Sequence, residues 1–287
     1  EIVKETATTT VVDGHWGFGY VVSERAMQIT IDKAKKGGLA ATTVYSQGHV
    51  GRVADYPIMA AKSNMIGLMT ADSGRSPKSV APFGGIEARL GTNPISFAIP
   101  SNLEGPLFVD MATSAAAAGK LQVAAARGLP IPEGWLIDRN GNPTTDPNDL
   151  YKEGVMLPLG GTEGYKGYGL SSIVEILSGI LTGLGFAHSP TGRHNDGCFM
   201  AVFDVSAFRP LEEFKTEVTE FANYLKSSRL ANGVKSIYYP GELEHLRTQE
   251  SLETGLVVED ATWERLVSIA SEFGLKSSYT ELFTTQN

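Results

Sequence analysis

Chemistry is most concentrated in the stretch "SQGHVGRVADYP", residues 46–57, where His49 stands between Gly48 and Gly51. A run that reads as a strand precedes it and a run that reads as a helix follows. An imidazole titrates near neutrality. It can give a proton to a carbonyl oxygen as a hydride arrives at the adjoining carbon, and take the proton back in reverse. A turn histidine that only caps the next helix would occupy the same place, and position alone leaves both readings open. In "GYKGYG", Lys166 opens a helix, where an ammonium beside free N–H groups suits a phosphate or carboxylate; the alternative is a solvated lysine. "LGTNP" (90–94) and "VDMATS" (109–114) read either as ligand-touching loops or as ordinary turns at strand ends. "YYPGE" (238–242) reads as a ligand-facing turn or as a helix start with Pro240 in its first turn.

Several chemistries lack their signatures. "GHWGFGY" supplies Gly17 and Gly19 but no third glycine of a Rossmann fingerprint and no suitably placed acid after it. There is no Walker A loop and no GxSxG elbow. The histidines at 15, 49, 188, 194 and 245 show no zinc spacing, and Cys198 is the only cysteine, so no metal site is expected.

The elements that must position these residues follow from the apolar pattern. "TATTTVV" reads as a strand, "DGHWGFGY" as a glycine-rich turn, and "SERAMQITIDKAKKGG" as a helix capped by Ser23 and closed by Gly37. "LAATTVYS", "MIGLMTAD", "PISFAIP", "LFVDMAT" and "CFMAVFDV" read as strands. "RVADYPIMAAKSNM" reads as a helix with a possible kink at Pro57, and "SIYYPGE" as a strand ending in a turn. "GVMLPLGGTEGYKGYG" is a long glycine-rich loop feeding the apolar helix "LSSIVEILSGILTG", and further helices close the chain. Helices dominate both ends and strands the middle. The expected fold is α/β of α+β type, with a helical domain from 1–62 with 232–287 and a sheet domain over 63–231.

With 287 residues, the chain can bury a sizeable core. A formal net charge of −8 disfavours nucleic acid as a partner and leaves anion binding to local cations and helix ends. A single cysteine makes no internal disulfide. The longest apolar stretch carries Glu175 and glycines, and is too short and polar to span a bilayer. No secretory signal is visible, and a cytoplasmic protein is the expectation. The opening "EIVKETATTT" reads as a fragment of something longer, or as a chain whose first segment is not included.

Taken together, "VDGHWGFGY", "GHVG", "APFGG", "LGTNPISFAIP", "VDMATS", "LPLGGTEGYKGYGL", "ILSGILTG" and "YPGE" resemble, in order and spacing, the type-2 malate/L-lactate dehydrogenases. That family also holds ureidoglycolate, sulfolactate and diketogulonate dehydrogenases and cyclic imino-acid reductases. The resemblance runs from about Val11 to about Glu242. It implies an oxidoreductase moving a hydride between NAD or NADP and a small 2-oxo or 2-hydroxy acid, on a non-Rossmann fold, in a homodimer, with the helical domain serving substrate and dimer contacts and the sheet domain binding the cofactor. Reduction of a cyclic imine, or dinucleotide binding without catalysis, are its alternatives. It implies His49 as proton donor and acceptor, with flanking glycines that make room for nicotinamide and substrate. Ser73, Asp110, Met111, Ala112 and Lys166 fall in its dinucleotide-contacting segments, and Pro240, Gly241 and Glu242 in a further cofactor-side turn. Two departures stand out: the family's N-terminal Asp-Ser-His-Gly segment and nearby Arg are not in this chain, and Cys198 stands where the family often has a histidine.

Overall fold

The structure, a computed structural model, describes residues 1–72, 74–187, 189 and 196–275. In chain order its elements are β1 (Ile2–Glu5), β2 (Thr9–Gly17), α1 (Gly19–Gly37), β3 (Leu39–Gln47), α2 (Asp55–Lys62), β4 (Met65–Asp72), β5 (Ile95–Ile99), β6 (Leu107–Met111) and α3 (Ala118–Ala126). Then come β7 (Leu136–Ile137), β8 (Pro143–Thr144), β9 (Val155–Met156), α4 (Tyr165–Glu175), β10 (Gly197–Asp204), α5 (Leu211–Lys226), α6 (Glu242–Thr254) and α7 (Asp260–Glu272). Seven strands form one open sheet in the order β1-β2-β3-β10-β4-β5-β6, and β8-β7-β9 form a small second sheet. Among the described strands, only β2 and β3 pair in parallel; every other strand–strand pairing is antiparallel. This is a mixed α/β fold.

The core follows the two periodicities of the sequence. On α1, Met27, Ile31 and Ala34 are fully buried at helical spacing, against Val44, Met69 and Met200 from alternate positions of the central strands. Gly38, at φ 79°, ends the helix in a left-handed turn whose N–H bonds back to Ala34. A second core of Val80, Leu121, Leu136 and Met156 joins α3 to the small sheet.

Four local expectations are corrected. The helix begins at Gly19, so Ser23 lies inside it, buried, and its hydroxyl donates to Gln47 Oε1 at 3.0 Å instead of capping. Residues 13–17 belong to β2, because Gly17 rejoins β3 at Gln47 after His15 and Trp16 take positive φ and break the register. Pro57 is the third residue of α2, where its missing N–H would be unpaired in any case, and it needs no kink. The segment 236–241 joins no sheet; Pro240 O instead accepts the N–H of Phe108 at 3.1 Å.

The chain divides into two compact units, Glu1–Glu242 and Leu243–Asn287. The ladder holds β3, β10 and β4 in one sheet. The first unit carries everything described next; the second contributes α7 and all but the first residue of α6.

Candidate active site

One end of the large sheet opens into a cleft of about 510 Å³, lined among others by His49, Asp72, Lys78, Asn93, Gln122 and Asp196. The ends of β3 and β4 and the starts of β5 and β10 meet there because their neighbours run antiparallel.

His49 is exposed, but its backbone is held from several sides. Gly48 N–H donates to Gly17 O at 3.0 Å. Val50 N–H donates to Asp196 Oδ2 at 3.0 Å, and the Tyr56 hydroxyl donates to Val50 O at 2.6 Å. Burial above all pushes that phenol up from its usual value, which keeps it a donor. A side chain on Gly19 would lie 2.2 Å from Gly48 O and 2.4 Å from His49 O, so α1 packs directly on the histidine loop. Gly51 has φ 71°, and a Cβ there would meet the Tyr20 ring at 2.2 Å. The Cβ position of Gly51 therefore belongs to Tyr20, while its backbone lines the cleft. Gly51 N–H donates to His49 Nδ1 at 2.9 Å, so the neutral ring carries its proton on Nε2. Nε2 has no partner among the described residues.

Across the cleft lies a buried polar network that sequence reading passed over. Lys78 Nζ stands 2.7 Å from Glu175 Oε1 and 3.3 Å from Asp72 Oδ1. Asn93 Nδ2 donates to Glu175 Oε2 at 2.9 Å and to Ser171 O at 3.1 Å. Asn93 sits at φ 41°, a conformation asparagine tolerates better than most residues. The Thr113 hydroxyl fixes it by donating to Asn93 O at 2.9 Å. Burial raises the Asp72 carboxyl to about 7; Lys78 opposes the rise and Glu175 adds to it. One wide turn of π type at Ile176–Ile180 follows α4 and brings Gly179 against Asp72, where a Cβ would lie 3.0 Å from Oδ2. Two buried oxygens in the cleft wall, Ser76 Oγ and Asn93 Oδ1, have no hydrogen-bond partner among the described residues.

The other expected site residues fall in three places. Asp110 and Met111 end β6, with Ala112 just beyond, and Asp110 Oδ2 accepts Ala54 N–H at 3.3 Å. Lys166 lies in the first turn of α4, side chain 66 % exposed, 3.3 Å from Glu163 and over the Tyr165 ring. These two places adjoin through Leu159, whose N–H donates to Thr113 O at 2.9 Å and whose carbonyl packs on Gly167. Pro240, Gly241 and Glu242 form a turn against the opposite end of β6. There Gly241 has φ 94° and no room for a Cβ beside Pro106 O, and Glu242 pairs with Lys226. Ser73, His188 and His194 lie outside the described residues. No group of three metal-ligating side chains occurs among the described residues. Cys198 is fully buried, its thiol pushed well up by burial, and Gln47 Nε2 lies 3.1 Å from its sulfur.

The missed residues had a signal. Glu175 interrupts an apolar helix, and a carboxylate with apolar neighbours on both sides needs a buried cation or a proton. "LGTNP" was among the loops read as possible ligand contacts, and Thr92 and Asn93 do line the cleft.

Residues 1–267 match the family model described as malate/L-lactate dehydrogenase. The chain is 38 % identical over 283 residues to a malate dehydrogenase of Pyrococcus horikoshii, covering 96 % of this chain and 78 % of that one. It is 37 % identical to an L-sulfolactate dehydrogenase of Methanothermobacter thermautotrophicus, covering 98 % and 80 %. The crystal structure of malate dehydrogenase from Entamoeba histolytica superposes with a TM-score of 0.91 at 31 % identity, covering 96 % of this chain and 79 % of that one.

Proposed function

This chain belongs to the malate/L-lactate dehydrogenase family, and from that premise we propose that it oxidises a small 2-hydroxy acid, or reduces the 2-oxo acid, with NAD or NADP. The observation that carries the reading is His49: an exposed imidazole on a rigidly braced loop, in a cleft, with Nε2 free among the described residues.

The residues fit a dinucleotide. The N-terminus of α4 has no side-chain cap and no acidic residue in its first turn, and Lys166 adds an exposed ammonium. That donor set suits a pyrophosphate. Asp110, Met111 and Ala112 adjoin it through Leu159, and Ser73 completes the proposed set. Pro240, Gly241 and Glu242 brace the strand that presents Asp110. The mostly antiparallel sheet supports a cofactor fold other than Rossmann's. When bound, the nicotinamide supplies or accepts the hydride.

The chain's own task is to place the acid and handle a proton. As held by Gly51, the neutral His49 ring donates a hydrogen bond from Nε2, which polarises an oxo group facing it. Outright transfer of that proton needs Nδ1 to take one first, so the Gly51 contact must open during turnover. The loop around it is fixed by Asp196 and Tyr56, which keeps Nε2 in place without substrate.

We read the assembly as a homodimer in the cytoplasm. A stripe of exposed apolar side chains along α4 and the turn after it, Ile173, Ile176, Ile180 and Leu181, supports a partner subunit. The test of function is direct. NADH or NADPH is mixed with protein and oxaloacetate, pyruvate or sulfopyruvate, and the reduced-nicotinamide absorbance is followed. Its loss with one of these acids is the expected result. Cofactor fluorescence that shifts while absorbance stays constant with every acid would make the chain a binding protein.

A further inference from the structure

The cleft wall carries more negative than positive side chains. Asp72 and Asp196 are its carboxyls and Lys78 its one ammonium among the described lining residues, with Glu175 paired to Lys78 behind the wall. Asp72, Lys78 and Glu175 are all more than nine-tenths buried, with side chains 0 %, 4 % and 7 % exposed. A lone lysine between two buried carboxylates leaves a net negative charge out of water, an expensive arrangement unless a proton joins it. Lys78 Nζ has three protons. Two are directed at Asp72 and Glu175, and the third is unused by the described residues. The remaining oxygens are partly committed: Asp72 Oδ2 accepts Gly74 N–H and Glu175 Oε2 accepts Asn93.

We propose that Lys78 is a carboxylate-binding residue of this cleft, and that it receives an anionic ligand only while the Asp72–Glu175 pair holds a proton. The proposal rests on the reading of the cleft as a 2-oxo acid site and names the charge that recognises the acid. With the pair protonated, three groups sum to neutral and the third Nζ proton meets the ligand. With the pair fully ionised, the same lysine is over-matched and the wall repels an anion. The position of Asp72 near 7 puts this change in the neutral range. The groups facing Asp72 are Lys78 from the following loop, Glu175 from α4 and the neutral Cys198 thiol from β10. His49 and Asp196 also line the cleft, so the test must separate their titration from that of the pair.

The probe is oxalate, whose own charge is constant between pH 6 and pH 8.5, titrated calorimetrically into the full chain with NADH present. For the wild type, the dissociation constant is expected to rise at least about tenfold between those pH values. Asp72→Asn fixes the protonated shape, so its oxalate affinity is expected to vary less than about threefold over the same range. If Asp72→Asn does not fold, Glu175→Gln removes the same charge and is expected to flatten the dependence alike. Lys78→Met in either neutral background should weaken oxalate at pH 6 by about tenfold or more. Oxalate that fails to bind, binds equally at both pH values, or keeps the wild-type pH dependence in the neutral variants overturns the proposal; the last result would assign the dependence to His49 or Asp196. Calorimetry reads binding without turnover, so failure of the dehydrogenase reading shows separately, as absent NAD(P)H consumption.

Discussion

At the scale of single residues, the proposed division of labour separates chemistry from cofactor affinity. His49→Ala leaves the loop's backbone bonds in place, because Asp196, Tyr56 and Gly17 hold main-chain atoms. It is expected to lower kcat by about a hundred- to ten-thousand-fold with the cofactor dissociation constant nearly unchanged. A variant retaining a third of the wild-type rate, with chemistry limiting, would remove His49 from the reaction. Lys166→Ala is expected to do the reverse, weakening NADH or NADPH by about tenfold at low salt and less at high salt. An unchanged dissociation constant would leave Lys166 as a solvated partner of Glu163. His49 was legible because its type, its neighbours and its place between a strand and a helix all converge on one stretch. Lys78 was not: nothing local marks it, and its partner Glu175 is ninety-seven positions away. A buried ion pair announces itself in sequence only through the misplaced half, here the carboxylate inside "SSIVEILSG".

At the scale of elements, glycines decide where backbones touch. Gly19 starts α1 and packs on the carbonyls of Gly48 and His49. Gly19→Ala puts a Cβ where no atom fits. The helix and the histidine loop must separate, at a cost of about 1–3 kcal/mol or more, and kcat should fall while cofactor affinity holds. Gly119, in α3, has open space at its Cβ position. Gly119→Ala is therefore expected to stabilise by about 0.5 kcal/mol through helix propensity and a less flexible unfolded chain. Paired thermal melts that moved in the same direction would contradict this reading. The long elements were legible from periodicity: β3 and β4 with their neighbours, and α1 by its Met27-Ile31-Ala34 face. The start of α1 was not, because Ser23 has the chemistry of a cap but a better partner in Gln47, twenty-four residues on. The same long-range logic carries "HWG" through β2 and leaves 236–241 outside any sheet. Pairing across the chain overrides local turn chemistry in the first place, and the lack of a partner strand overrides local strand propensity in the second.

At the scale of the whole molecule, two properties follow from groups already described. Ile173 in α4 and Ile176 and Ile180 in the turn after it are exposed, and they are the face on which the proposed dimer rests. Ile176→Lys and Ile180→Lys together are expected to convert a dimer to a monomer in sedimentation; a wild type that already sediments as a monomer would refute the assembly. The second property is the pH dependence of folding. Asp72 has its ordinary value near 3.8 in the unfolded chain and about 7 when folded, chiefly through burial. Between these values the folded chain holds a proton that the unfolded chain lacks, so unfolding releases it. By linkage, stability then falls as pH rises, at up to about 1.4 kcal/mol per pH unit, and levels off above 7. Below the ordinary carboxylate value both states are protonated and the slope from this group vanishes. Asp72→Asn has no such proton. Its stability relative to the wild type should therefore grow steadily from pH 4.5 to pH 7 and then stay constant, whatever the surface carboxylates do, because those titrate alike in both proteins. Urea unfolding of the two proteins across that range measures the difference directly. Parallel profiles over that range would mean that Asp72 is ionised throughout in the folded chain, at or below its ordinary value, with the ion pair to Lys78 offsetting burial.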